Sequence, residues 1–183
     1  PHTRMSERVL DPAHLSFVKV VTSSHNHTDH LDRETLLAIG EAAGGVVLVL
    51  PEANEGFAKE RLRGVPVDYV GINEKAVTRV DAFTFEGIAA AHNEVERDEE
   101  GRCRFLGFCV TFGEFRVYHS GDTLWHEDLV GQLNAGAPDL ALLPINGNKP
   151  ERRVAGNLNG SEAAALGRAI GAGVVVPCHY HMF

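Results

Sequence analysis

The chain alternates short apolar runs with amphipathic stretches, and most runs end on a turn or breaker residue. Residues 15–21 are apolar and rich in β-branched side chains, and they stop at Thr22-Ser23-Ser24, which predicts a buried strand. Asp32 stands where a helix N-cap belongs. Residues 34–43 have helical spacing, and Gly44-Gly45 closes them. An unbroken apolar strand is predicted over 46–50, stopped by Pro51, then a short helix over 54–63 ended by Gly64, then a strand over 67–72. Residues 77–118 change character. Alternating strand-like runs at 77–91, 105–112 and 115–118 are joined by a charged turn at 96–104 and by Gly113-Glu114, the pattern of antiparallel sheet. Alternation returns with a helix over 127–135, a strand over 140–144, a helix over 161–172 capped by Ser161, and a strand over 174–177. Two halves that each mix strands with helices predict an α/β fold. The expected form is a four-layer αββα sandwich, with two mixed sheets flanked by helices, built as one domain across residues 1–183.

Composition narrows the partners. Of 183 residues 44% are hydrophobic, enough for a sizeable core, and the formal charge of −8 argues against broad capture of nucleic acid or of an anionic membrane. No run approaches the ~20 apolar residues of a membrane span. The three cysteines (Cys103, Cys109, Cys178) form no CxxC pair, so free thiols in a reducing, cytoplasmic setting are expected.

Histidine supplies the candidate chemistry. Three of the ten histidines fall in Ser24-His25-Asn26-His27-Thr28-Asp29-His30-Leu31-Asp32, directly after the first strand. Imidazoles and carboxylates suit zinc, manganese, nickel or iron. Residues at i and i+2 of an extended chain share a face, so His25 and His27 can reach one ion. Asp29 and His30 follow where the chain turns and can face a second. Other strand ends carry matching donors: His92 after Ile88-Ala89-Ala90-Ala91, Asp122 in Tyr118-His119-Ser120-Gly121-Asp122-Thr123, and His179 after Val176-Pro177-Cys178. His2, His14 and His126 are expected at the surface.

The order HxHxDH, a lone histidine, Ser-Gly-Asp-Thr and a late Pro-x-His-Tyr resembles the metallo-β-lactamase superfamily. Within it, Leu143-Pro144-Ile145-Asn146-Gly147, Gly156-Asn157-Leu158 and Pro177-Cys178-His179-Tyr180-His181-Met182-Phe183 resemble the branch of L-ascorbate-6-phosphate lactonase and its metal-dependent hydrolase relatives. The resemblance implies the αββα fold and two divalent ions, zinc first among the candidates. It implies that His25, His27 and His92 hold one ion, that Asp29, His30 and His179 hold the other, and that Asp122 bridges them. It is incomplete at both ends, which predicts a chain lacking N-terminal strands and a C-terminal tail. Sheet edges left open in that way keep a homo-oligomer in view.

The expected activity is hydrolysis of an ester-like bond, a lactone or a phosphoester, in a small-molecule substrate. Asp29 and Asp122 are the catalytic carboxylates in this reading, with Asp29 orienting the attacking water. Asn146, Asn157 and His181 are candidates for substrate contact. Asp32 and His119 are candidates for supporting the ligands from behind, with N-capping as the alternative for Asp32. Three competing readings remain. A mononuclear or di-iron redox enzyme is disfavoured in its di-iron form by His27, where such members carry Glu. A nuclease is disfavoured by the acidic charge, and a non-enzymatic module by the complete ligand set.

Overall fold

The computed structural model describes residues 7, 9–133, 136–149 and 156–180. Among them lie nine strands in two sheets. β1 (Val20–Thr22), β2 (Val46–Pro51) and β3 (Val67–Ile72) form a parallel sheet in that order. β4 (Val77–Val80), β5 (Phe83–Ala89), β6 (Leu106–Phe112), β7 (Phe115–His119), β8 (Leu140–Pro144) and β9 (Val174–Cys178) form the second sheet, also in chain order. Pairing there is antiparallel from β4 to β7 and parallel from β7 to β9. β5, β7, β8 and β9 therefore all run the same way and bring their carboxyl ends to one edge.

The layers follow from the two-residue period of each strand. On β2, Leu48 and Leu50 face a cluster with Leu36, Ala58 and Leu62, contributed by α1 (Arg33–Ala43) and the segment of α2 (Glu55–Arg61). Val49 faces the other way, into the inter-sheet core with Ile72, Phe85, Ala89, Leu106 and Phe108. The second sheet repeats this alternation. Ile88, Cys109, Tyr118, Ala141 and Leu143 face Leu129 of α3 (Leu129–Gln132) and Ala163 and Leu166 of α4 (Gly160–Ala169). Helices, sheet, sheet and helices make the four layers of an αββα sandwich.

Local chemistry sets several boundaries. Asp32 caps α1, its carboxylate accepting from the Glu34 and Thr35 amides, and Gly44 ends the helix in the left-handed region (φ 72°). The first strand is shorter than its apolar run, because Asp11 caps a 3₁₀ turn at Pro12–His14 and the chain is still turning at Ser16-Phe17. The cap of α4 is Asn159 rather than Ser161. Its side chain accepts from the Ser161 and Glu162 amides, and Glu162 reaches back to the Asn159 amide in a capping box. α3 covers only four residues of the predicted 127–135, of which 134 and 135 lie outside the described residues.

Candidate metal centre

Every predicted ligand among the described residues leaves a strand at its carboxyl end. His25 to His30 follow β1, His92 follows β5, Asp122 follows β7 and His179 follows β9. The chain breaks out of the second sheet at these points through left-handed residues: Asn93 (φ 89°), Gly121 (φ 62°) and His179 itself (φ 55°). A non-glycine residue held there signals a constrained position. The loop after β1 is fastened on several sides. Ser23 Oγ donates to the His25 carbonyl, the Leu106 amide donates to the Ser24 carbonyl, and Arg61 of α2 donates to the Asn26 carbonyl at 2.6 Å. The amides of His30 and Leu31 close a turn on the His27 carbonyl, while Leu31 is buried beneath it.

The structure brings all seven predicted ligands together. The donor atoms of His25, His27 and His92 lie within 4.8 Å of one another, as do those of Asp29, His30 and His179, and those of His25, His30 and Asp122. Asp122 stands between the groups. Its oxygens lie 3.2 Å from His30 Nε2, 3.3 Å from His179 Nε2 and 4.0 Å from His92 Nε2. Asp29 lies 3.3 Å from His179 Nε2. His25 and Asp122 form the buried floor, whereas His27 and Asp29 are exposed at the mouth. Phe105 walls one side, its ring 4.9 Å from that of His25 and 5.4 Å from that of His92.

These donors fit divalent metal. Nε2 of His25, His30 and His179 and Oδ1 of Asp122 are buried without hydrogen-bond partners, although the groups face one another. Buried polar atoms are rarely left so, and here they converge. The Nδ1 atoms of His25, His30 and His92 do have partners. His25 and His30 share Ser24 Oγ at 3.0 Å each, and His92 Nδ1 lies 3.2 Å from the Gly156 carbonyl oxygen. Imidazoles tethered at Nδ1 and bare at Nε2 are arranged as ligands.

Electrostatics agree. Burial, aided by His30, lowers the His25 pKa to about 2, so the ring is neutral at pH 7. Burial and then His92 lower that of His27 as well. Burial also opposes charge on His179, but the carboxylates of Asp122 and Asp29 outweigh it and raise its pKa to about 10. Burial would raise both carboxyls. The neighbouring His179 and His30 prevail instead, taking Asp29 to about 2 and holding Asp122 far below the usual range.

The supporting residues follow expectation at His119 and depart from it at Asp32. Asp32 does not back a ligand, since its hydrogen bonds go to Glu34, Thr35 and the Thr35 hydroxyl of its own helix. His119 accepts the Gly121 amide at Nδ1 (3.1 Å) and so supports the turn that presents Asp122. Asn157 is buried, and its side-chain carbonyl accepts the Thr123 amide; Thr123 Oγ1 in turn accepts the Ala91 amide. Asn157 thus ties the Asp122 loop to the His92 loop. Asn146 sits beyond β8 with a buried, unpartnered Oδ1. His181 lies outside the described residues. His126 is half-buried, with Nε2 3.0 Å from the Ala89 carbonyl oxygen, and is not the surface residue expected. Ser24, Gly156 and Arg61 are the supports that sequence reading missed. Ser24, adjacent to the cluster, and Gly156, within the Gly156-Asn157-Leu158 resemblance, carried a signal without a role; Arg61 carried none.

A sequence profile of the β-lactamase superfamily domain matches residues 2–180. The chain belongs to this superfamily. Among superfamily relatives, a metal-dependent hydrolase of Methanoculleus marisnigri is 30% identical over 168 residues, covering 90% of this chain and 66% of its own length. A probable L-ascorbate-6-phosphate lactonase of Escherichia coli is 25% identical over 197 residues, covering all of this chain and 54% of the relative. The chain thus spans between about half and two thirds of the length of these curated relatives. The crystal structure of a metallo-β-lactamase fold protein of Bacillus subtilis superposes with a TM-score of 0.69 at 17% identity, over 90% of this chain and 66% of that one, which establishes the fold. Among the described residues no helix is long and apolar enough to cross a membrane.

Proposed function

We propose that this chain is a single metal-dependent hydrolase domain that cleaves an ester-like bond, a lactone or a phosphoester, in a small molecule. The observation that carries the reading is the convergence of three buried Nε2 atoms, of His25, His30 and His179, around the Asp122 carboxylate. The names of relatives, metal-dependent hydrolase and lactonase, support it. In this reading His25, His27 and His92 hold one divalent ion, Asp29, His30 and His179 hold a second, and Asp122 serves both. Zinc is the first candidate, with manganese, nickel and iron open to the same donors. Bound there, the ions supply Lewis acidity, polarising a substrate oxygen and lowering the pKa of water towards neutrality.

The chain's own residues do the rest. Asp122, deep and ionised, offsets positive charge on the floor of the site. Asp29 is ionised at neutral pH and exposed at the mouth, where its carboxylate can accept a hydrogen bond from an incoming water and aim it. Phe105 excludes solvent from the His25 and His92 side. Asn146, whose buried Oδ1 has no hydrogen-bond partner, is the candidate for a substrate contact in this reading.

The test is a metal assay joined to a panel of lactones, phosphomonoesters and a phosphodiester reporter, with His27→Ala as control. Turnover of a lactone or phosphomonoester that needs metal and is lost in His27→Ala supports the proposal. Full activity in His27→Ala would overturn the ligand assignment, and turnover of the phosphodiester alone would replace the substrate class.

A further inference from the structure

We infer that the Ser24 hydroxyl is a positioning group shared by the two metal positions, fixing the tautomer of one histidine ligand in each. The inference rests on the ligand set proposed above. Ser24 is buried, and its Oγ lies 3.0 Å from Nδ1 of His25 and 3.0 Å from Nδ1 of His30. One oxygen therefore joins the His25–His27–His92 group to the Asp29–His30–His179 group.

The logic is a count of protons. A neutral imidazole carries one N–H, and a ring that offers Nε2 to an ion must carry it on Nδ1. A serine oxygen has two lone pairs and can accept both Nδ1–H groups at once, its own hydroxyl hydrogen then being directed away from both rings. If the hydroxyl instead donates to one Nδ1, that ring's proton moves to Nε2 and its ligand lone pair is lost. The doubly accepting state is the one that leaves both Nε2 atoms bare, that of His25 buried without a hydrogen-bond partner and that of His30 facing Asp122 Oδ1 at 3.2 Å. Asp32 is committed to capping α1.

The position admits little else. Ser24 is held by the Leu106 amide on its carbonyl, and Gly121 packs against it so closely that a Cβ there would lie 2.6 Å from Ser24 Cβ. Alanine would fill the same space and leave two buried N–H groups with no acceptor, so the hydroxyl oxygen is the functional part.

The test is zinc titration of the whole chain against a chromogenic chelator, for wild type, Ser24→Ala and, as a control outside the site, Asp32→Ala. The expected result is a fall of roughly 10- to 100-fold in zinc affinity at both positions in Ser24→Ala, with Asp32→Ala unchanged. In ¹⁵N-labelled, zinc-loaded wild type, Nδ1–H signals of His25 and His30 should be protected from exchange and lose that protection in Ser24→Ala. Unchanged affinity in Ser24→Ala, weakening at one position only, or absence of either protected Nδ1–H in wild type overturns the shared role and leaves the ligand set standing. The last outcome needs no variant to fold. Wild type that takes up no zinc overturns the ligand set itself.

Discussion

Gly156 offers the sharpest check on where His92 sits. Its backbone is left-handed (φ 77°), and a Cβ placed on it would fall 1.9 Å from His92 Nδ1, 2.7 Å from Cε1 and 2.8 Å from Cγ. In Gly156→Ala the imidazole must retreat by about 1.5 Å to reach an ordinary contact. It also gives up its Nδ1 contact with the Gly156 carbonyl, a hydrogen bond of about 1 kcal/mol. Left-handed backbone adds about 1–2 kcal/mol for a residue with a Cβ. Metal-free Gly156→Ala should therefore lose roughly 2–3 kcal/mol of stability, and each kcal/mol lowers the melting temperature by about 2–4 °C in a domain of this size. The larger effect is on metal. The displaced Nε2 can no longer join His25 and His27, so affinity for that ion should fall at least 10-fold while the Asp29–His30–His179 position is less affected. Zinc competition and a metal-free melt read the two effects separately. A variant that melts lower yet binds two zinc ions with wild-type affinity would refute the placement of His92 as a ligand.

Other outcomes follow from the same geometry. Asp32→Ala should lose the N-cap of α1 and about 1 kcal/mol of stability while keeping metal stoichiometry, read by denaturant unfolding and metal analysis. Metal-free protein should be most stable near pH 6.5. Below that pH, His25 binds its proton more readily when unfolded, because its folded pKa is about 2, so stability falls on acidification. Above it, His179 keeps its proton only in the folded state, whose pKa is about 10, so stability falls as pH rises towards 10. Melts across pH 4–10 in chelator check both limbs, and a flat profile contradicts them. Restoring zinc at about 100 times its Kd should raise stability by about 2.7 kcal/mol per ion, seen as a concentration-dependent melting temperature.

Much of this was legible in the chain. The apolar runs behind β2 and β3 are set off by Pro51 and Gly64, so their limits could be read off to within a residue. The seven donors were legible because few other roles suit so many imidazoles and carboxylates at strand ends. What escaped was contact through space. Residues 15–19 look like strand by composition, but the capped turn at Pro12–His14 leaves the chain turning at Ser16-Phe17 before it extends. Asn159 and Ser161 are both good caps by type, and only the geometry of their side chains selects Asn159. Gly156 supports His92 with a main-chain carbonyl 64 positions away, and no side-chain pattern encodes that. Asn157 resembled a substrate contact until its partner proved to be the Thr123 amide.

The ligand set also has a kinetic meaning. His25 to His30 hang from the parallel sheet, whereas His92, Asp122 and His179 hang from the second. Donors from positions 25 to 179 converge only after the two sheets have docked, so the encounter comes late in folding. A bound ion would act chiefly on the rate of unfolding and would do little to hasten folding. It would behave as a bolt across the seam between the sheets, released when that seam opens. Chelator-driven loss of metal and cleavage by a protease in excess should then proceed at a common rate.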